Sequence, residues 1–504
     1  MSQHLLVLLP LLLPLYGAIL CLPFWKRSLP QQWVAGCTQV CWMASAAMLI
    51  YEVTTTGIVK TQIGNWPAPY GITMVADIFS ALMIGASTIV GFAVYLFSLR
   101  GLNESRKTYG YYPMLLLLQM GISGVCLTGD IFNLYVWFEV LLISCFTLLA
   151  LGGTKAQLEG TIKYVTINML ASGLLLTGIG MVYSLTGSLN LAELGRLVRQ
   201  PGSDLSLVNI ASIFFLIGFG IKSAIFPLFF WLPASYHTPP IAISAFIAGL
   251  LTKVGIYTLI RLFTLVFIMD RNFILPLLLV LSGLTMVVGV LGAASQTDFR
   301  KILSFHIVSQ IGYMLMGLAI NTPLAIAGSV FFILHNILVK TNLFLISGVV
   351  AQRHKTFALK KLGGEYLKNP FLAILFLLSA LSLAGIPPFS GFWGKFMLAK
   401  AGLLNENYSI VATSLAVSLI TIFSMTKIWN EAFLKPKPDN NGSEKEVVTS
   451  EEKQASRYLL VPVVLLAGII LFIGLYAEPV ISLSIRAAEQ LKNTDLYINA
   501  VLNR

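Results

Sequence analysis

Six side chains stand in strongly apolar surroundings: Glu139 in NLYVWFEVLLISCF, Lys222 in FLIGFGIKSAIFPLFFWLP, Lys253 in AFIAGLLTKVGIYTL, His335 and Lys340 in FFILHNILVKTNLFLISG, and Lys395 in LAGIPPFSGFWGKF. A charge at the centre of a bilayer costs about 2.5–3.5 kcal/mol even on a lenient scale. One such group is readily explained as a buried ion pair, a polar seam between helices, or a side chain reaching for the interface. Five charged groups whose penalties add call for a shared purpose. Carboxylate, amine and imidazole in series are what a proton relay requires. A desolvated lysine gives up its proton, a nearby carboxylate restores the charge, and imidazole titrates near neutrality. His335 and Lys340 lie five residues apart, about 140° around a helix, so linking them takes water or a change of rotamer. Asp77 and His306 sit nearer the ends of their segments, where a structural role is the stronger expectation.

Prolines accompany two of the lysines. Pro227 follows Lys222, and the pair Pro387 and Pro388 precedes Lys395. Proline removes a backbone donor and frees a carbonyl. In a membrane such a break is tolerated only against protein or a wet cavity.

The elements that must carry these groups are membrane helices. The chain has 504 residues, 57% hydrophobic and 11% charged, against about 25% charged in soluble domains. Its apolar runs are long enough to cross the ~30 Å hydrocarbon layer and lack the alternation of a barrel. The expected fold is all-α and polytopic, with fourteen spans near 5–25, 32–51, 74–99, 111–129, 131–151, 162–185, 207–231, 241–267, 273–294, 301–320, 323–350, 370–401, 408–433 and 457–477. The first, LLVLLPLLLPLYGAIL, has no basic residue before it and reads as a span, not a cleaved leader. The fourth and fifth are divided almost only by Gly129 and Asp130. The seventh and twelfth are the interrupted ones. They lie five spans apart, which predicts two five-helix units over 111–267 and 273–433, the second inverted because five is odd. Residues 1–110 hold the first three helices, 434–456 read as a flexible cytoplasmic linker, and 457–504 as the last helix and a tail.

Charge sets the orientation. With the N-terminus outside, the inner loops hold roughly twice as many Lys and Arg as the outer ones. The inner set includes Arg100, Arg106, Lys107, Arg353, Lys355, Lys360 and Lys361; the outer set includes Lys60, Arg196, Arg199, Arg261 and Arg271. An even number of spans puts both termini outside. The net charge of +12 is then a topology signal and implies no nucleic-acid partner. The five cysteines, Cys21, Cys37, Cys41, Cys126 and Cys145, read as small buried hydrophobes. No cysteine cluster or nucleotide motif calls for a cofactor, and no feature marks a sodium site.

Residues from about 70 to 430 resemble the antiporter-like membrane subunits shared by respiratory complex I and the multisubunit Mrp-type cation/proton antiporters. The resemblance rests on VADIFSALM (75–83), GDIFNLYVWFEVLLISCFTLL (129–149), IKSAIFPLFFWLP (221–233), SAFIAGLLTKVGIYTLIR (244–261), DFRKILSFHIVSQIGYMLMG (298–317) and LAGIPPFSGFWGKF. It implies fourteen helices, two inverted five-helix repeats, and breaks in helices seven and twelve. It further implies that Glu139 pairs with Lys222, that Lys253 is the central lysine, that His335 and Lys340 are relay groups, and that Lys395 is the helix-twelve residue. Phe138 falls at a packing position without titratable chemistry. The segment YHTPPIAISAFIAGLLTKVG (236–255) is most similar to the D-type subunits of the Mrp antiporters. That resemblance implies a non-enzymatic subunit of a bacterial inner-membrane hetero-oligomer, moving protons to drive sodium efflux beside other membrane subunits, in contact with lipid and without cofactor. The alternative is a proton-pumping subunit of complex I or of a membrane hydrogenase.

Overall fold

The computed structural model describes residues 3–200, 205–267, 273–436 and 450–502. Its principal helices are α1 (Gln3–Cys21), α2 (Ser28–Thr56), α3 (Ile78–Gly101), α4 (Tyr112–Leu127), α5 (Ile131–Leu149), α6 (Lys155–Thr186), the short surface helix α7 (Leu191–Val198), α8 (Leu205–Ser223), the one-turn α9 (Trp231–Ser235), α10 (Ile241–Leu265), α11 (Ile274–Ser295), α12 (Phe299–Ile320), α13 (Pro323–His354), α14 (Pro370–Ala384), α15 (Ser390–Leu404), α16 (Tyr408–Ile428), α17 (Ser450–Leu475), α18 (Glu478–Lys492) and α19 (Thr494–Leu502). Among the described residues, twelve helices are long and apolar enough to cross a membrane. The expected seventh and twelfth spans are each split, into α8 and α9 and into α14 and α15.

Helix starts follow short-range chemistry. Asp77 and Thr154 each close a reciprocal capping box, with Ser80 and Gln157, and Asp130, Asp298 and Thr322 cap α5, α12 and α13. Such side chains satisfy amide groups that the first helical turn leaves unpaired. Apolar on all sides, α10 and α13 are almost wholly enclosed by other helices, as such helices must be. They form the centre of the bundle, and both carry lysines.

One face of the bundle wears a cap that apolar run length does not foresee. The helical fold carries a short antiparallel hairpin there, β1 (Val59–Gln62) with β2 (Thr73–Ala76), in the register Val59↔Ala76. The segment between α4 and α5 is pinned beside it: the Gly129 amide donates to the Thr73 carbonyl at 2.8 Å, and Asp130 bridges to Asn190. The tail after α17 folds back as α18 and α19. Lys60 Nζ donates to the Val501 carbonyl at 2.8 Å, Arg486 to the Thr54 carbonyl at 2.8 Å, and the Ile78 amide to Gln490 Oε1 at 3.1 Å.

Three expectations change. Arg261, grouped with the outer loops, lies inside α10 and forms a buried ion pair with Asp77 at 2.5 Å. Cys37 and Cys41 are exposed on α2, whereas Cys21, Cys126 and Cys145 are buried. Residues 437–449 of the expected linker lie outside the described residues, and α17 already begins at Ser450.

Candidate functional site

Each broken helix ends on a different device. α8 stops where Ala224 turns left-handed, with φ 59°, ahead of Pro227. The carbonyl of Ile221 accepts the Ala224 amide at 3.0 Å in a tightened last turn and, in place of the next helical amide, the Trp231 indole N–H at 3.0 Å. α14 stops at Gly385, with φ 87°, ahead of Pro387 and Pro388. Here the freed carbonyl of Ala384 accepts Lys395 Nζ at 2.9 Å. Lys222 sits in the last turn of α8, and Lys395 reaches back across its break to the last residue of α14. One lysine precedes its proline and the other follows, yet both stand at the carbonyl end of a half-helix, Lys222 by its place in the last turn of α8 and Lys395 by its bond to Ala384. The partial negative charge there favours a cation.

Glu139 and Lys222 do not meet directly. Ser172 of α6 stands between them: its hydroxyl makes a short hydrogen bond to Glu139 Oε1 and receives Lys222 Nζ at 3.2 Å. Nothing in the sequence marks Ser172, whose neighbours YVTINMLASGLLL are those of an ordinary membrane helix. Phe138 packs on Phe219 as expected, and its ring also faces the Lys222 ammonium, 5.3 Å from the centroid. A cavity of about 20 Å³ lined by Phe138, Tyr164, Asn168, Lys222 and Tyr236 adjoins this group. It has room for about one water, and the buried Tyr236 hydroxyl facing it has no protein partner.

Lys253 is 0% exposed and donates to the Ala248 carbonyl at 2.6 Å. Two glycines of α10 flank it and bring the neighbouring helices close. A Cβ at Gly255 would strike the Ser223 hydroxyl, at the end of α8 beside Lys222; a Cβ at Gly249 would strike Thr341 Oγ1, beside Lys340 on α13. Small residues at these contacts let helix backbones approach. Lys340 is 0% exposed, has no protein partner for Nζ, and lies within reach of the charges of Lys253 and Lys395. His335 is not bonded to Lys340. Its Nδ1 shares a hydrogen bond with Ser390 Oγ at 2.8 Å, and Ser390 meets Ser382 at 2.9 Å. Lys395 also donates to Ser418 Oγ at 3.1 Å, under the ring of Tyr313 at 4.6 Å.

Further buried polar atoms without protein partners cluster along this line: Ser223 Oγ, Thr252 Oγ1, both side-chain polar atoms of Asn336, and His335 Nε2. Leaving such a group unpaired costs about 1–3 kcal/mol, and buried water is the usual remedy. Lys222, Lys253 and Lys340 are buried within the bundle, and Lys395 is half-buried. Asp77 and Arg261 form a separate cluster toward the capped face. The guanidinium also receives the rings of Phe79, Tyr257 and Tyr497.

A multi-pass bundle with two broken helices, each with a lysine at the carbonyl end of its first half, defines an ion-transport membrane protein. Residues 128–421 match the family described as NADH:quinone oxidoreductase/Mrp antiporter, transmembrane, and the chain belongs to that family. Its relatives include the D-type Na(+)/H(+) antiporter subunit of Alkalihalophilus pseudofirmus, 44% identical over 99% of each chain. The protein of the same name from Bacillus subtilis is 39% identical over 98% of this chain and 99% of the relative. The solved Mrp complex from Dietzia contains a chain that superposes with a TM-score of 0.91 at 30% identity, covering 100% of both. The archaeal membrane-bound sulfane sulfur reductase shares the fold, with a TM-score of 0.89 at 24% identity over 99% of this chain and 100% of the other.

Proposed function

We propose that this chain is the proton-translocating subunit of a multisubunit Na+/H+ antiporter, and that protons pass Glu139, Ser172, Lys222, Lys253, Lys340 with His335, and Lys395 in turn. The observation that supports the reading is that Glu139, Ser172 and Lys222 are bonded in series, and that Lys253, Lys340 and Lys395 follow on α10, α13 and α15, helices packed one against the next. Two relatives named for that activity, aligned over almost the whole chain, support the antiporter assignment. Proton entry drives sodium exit elsewhere in the hetero-oligomer, whose other members are membrane subunits. One charge crossing 100 mV supplies about 2.3 kcal/mol, so electrogenic exchange can expel sodium against a gradient.

In the same reading, α4–α10 and α11–α16 are two units of opposite orientation, over 111–267 and 273–433. The matching places of the two breaks, each with a lysine at the carbonyl end, support it. The positive loops favour an inner-membrane protein with both termini outside.

The test uses vesicles holding the whole complex. Added sodium should collapse a preformed pH gradient, and Glu139→Ala or Lys222→Ala should abolish the collapse with assembly intact. Normal exchange in either variant would rule out the relay. Co-purification separates the antiporter from a redox-driven pump subunit, which would bring flavin or iron–sulfur proteins with it.

A further inference from the structure

Lys395 is half-buried within the bundle, and its ammonium must exchange protons with one face of the membrane. We infer that a row of hydroxyls on α16, ending at His306 of α12, is that route, and that it opens at the face where α12 begins and α16 ends. The inference rests on the relay proposed above.

Ser414, Ser418, Thr421 and Ser424 recur at steps of four, three and three, which keeps them toward one side of a helix. Ser414, Thr421 and Ser424 are buried. The Ser418 hydroxyl is shared, receiving Lys395 Nζ at 3.1 Å and meeting Tyr313 Oη at 2.8 Å. Six residues further along, about 9 Å by helical rise, Ser424 Oγ meets His306 Nε2 at 2.6 Å. His306 is fully buried, and its Nδ1 has no protein partner. One turn away on α12, Gln310 is buried with neither end of its amide satisfied. Packing alone would be better served by apolar side chains at both positions, since unpaired polar atoms are penalised.

The position suits an outlet. His306 lies seven residues from Phe299, the first residue of α12, about 10 Å from that end. The same face holds the end of α13, because the Phe299 amide pairs with the Phe357 carbonyl at 2.9 Å. The charges that reach His306 are Lys340 from α13 and Lys395 from α15. α11, packed along α12, has no charged side chain. Lys427, near the end of α16, is engaged with the carbonyls of Ala294 and Gln296, at 3.1 and 2.7 Å.

Chemically, a hydroxyl both accepts and donates; at rest Ser418 donates to the Ser414 carbonyl at 3.0 Å, Thr421 to that of Val417 at 2.8 Å and Ser424 to that of Thr421 at 3.0 Å, so each hydroxyl turns from its carbonyl to pass a proton on, a rotation that displaces no heavy atom. Lys395 releases a proton to Ser418, which passes its own on. With a water closing each step of about 4.5 Å, the proton passes Thr421 and Ser424 and arrives at His306 Nε2. A second proton leaves from Nδ1 toward the surface, and the ring returns to its starting tautomer before the next transfer.

The experiment measures sodium-driven proton exchange against pH in vesicles containing the complete complex, with Lys395→Ala as reference. His306→Gln keeps a polar side chain but cannot titrate; it should slow exchange about a hundredfold and remove one limb of the pH profile. Thr421→Val, nearly isosteric, should slow exchange about tenfold while Thr421→Ser stays near wild type. Wild-type rate and pH profile in His306→Gln, with Lys395→Ala inactive, overturns the route and spares the relay. Wild-type rates in both overturn the relay as well. Should His306→Gln fail to assemble, the Thr421 pair decides, and equal rates for Val and Ser overturn the route.

Discussion

Ser172→Ala is the sharpest perturbation of the relay because it removes one oxygen and no charge. Among the described residues, that oxygen is the one protein atom bonded to both the Glu139 carboxylate and the Lys222 ammonium. Hydrogen bonds to charged groups are worth about 1.5–3 kcal/mol. At 1.36 kcal/mol per factor of ten, losing one such bond during proton transfer slows exchange about 10- to 150-fold. The assay is sodium-induced collapse of a pH gradient in vesicles, normalised to the amount of assembled complex. Ser172→Thr retains the hydroxyl and should recover most of the rate. In a Glu139→Gln background, Ser172→Ala should add little, because groups acting as one unit are not additive. If Ser172→Ala exchanges within about twofold of wild type, less than 0.5 kcal/mol of barrier, the bridge is packing and the reasoning is wrong.

The Asp77–Arg261 pair is a structural fastener, so Asp77→Asn should destabilise the complex by about 3–5 kcal/mol, the usual result of leaving one buried charge alone. Thermal melting of the solubilised complex would check it, and adding Arg261→Gln should cost less than the sum of the two single changes. Lys340→Met should abolish exchange yet raise thermal stability by about 1–3 kcal/mol, because it removes a buried amine without a partner; a melt no higher than wild type would count against that account. His237 lies in the loop before α10, where burial, and then the Lys301 and Arg300 charges, hold its imidazole below the ordinary histidine value despite its hydrogen bond to the Pro233 carbonyl. The unfolded chain therefore binds the proton more readily, and folding loses stability as pH falls from the ordinary histidine value of 6.5 toward the lower native value. His237→Gln should flatten that acid-side loss in melts taken across the window.

Composition and apolar run length alone established the membrane bundle and most of its helices, because hydrocarbon offers no partner to a free amide or carbonyl. Out-of-place charges named Glu139, Lys222, Lys253, Lys340 and Lys395, since each is expensive enough to stand out from its neighbours. Prolines 227, 387 and 388 marked the breaks by the donor they lack. Other features left no such mark. The hairpin over 59–76 and the folded tail are short and mixed in polarity, and only contact with the bundle orders them. Ser172 is one hydroxyl among many, and serine in a membrane helix usually bonds its own backbone. Arg261 read as a loop charge because its partner, Asp77, is remote in sequence. Which serine bridges, which lysine reaches a freed carbonyl, and which charges neutralise each other depend on angles between helices. Those angles come from side-chain packing summed over the whole bundle, a property that no local stretch of sequence contains.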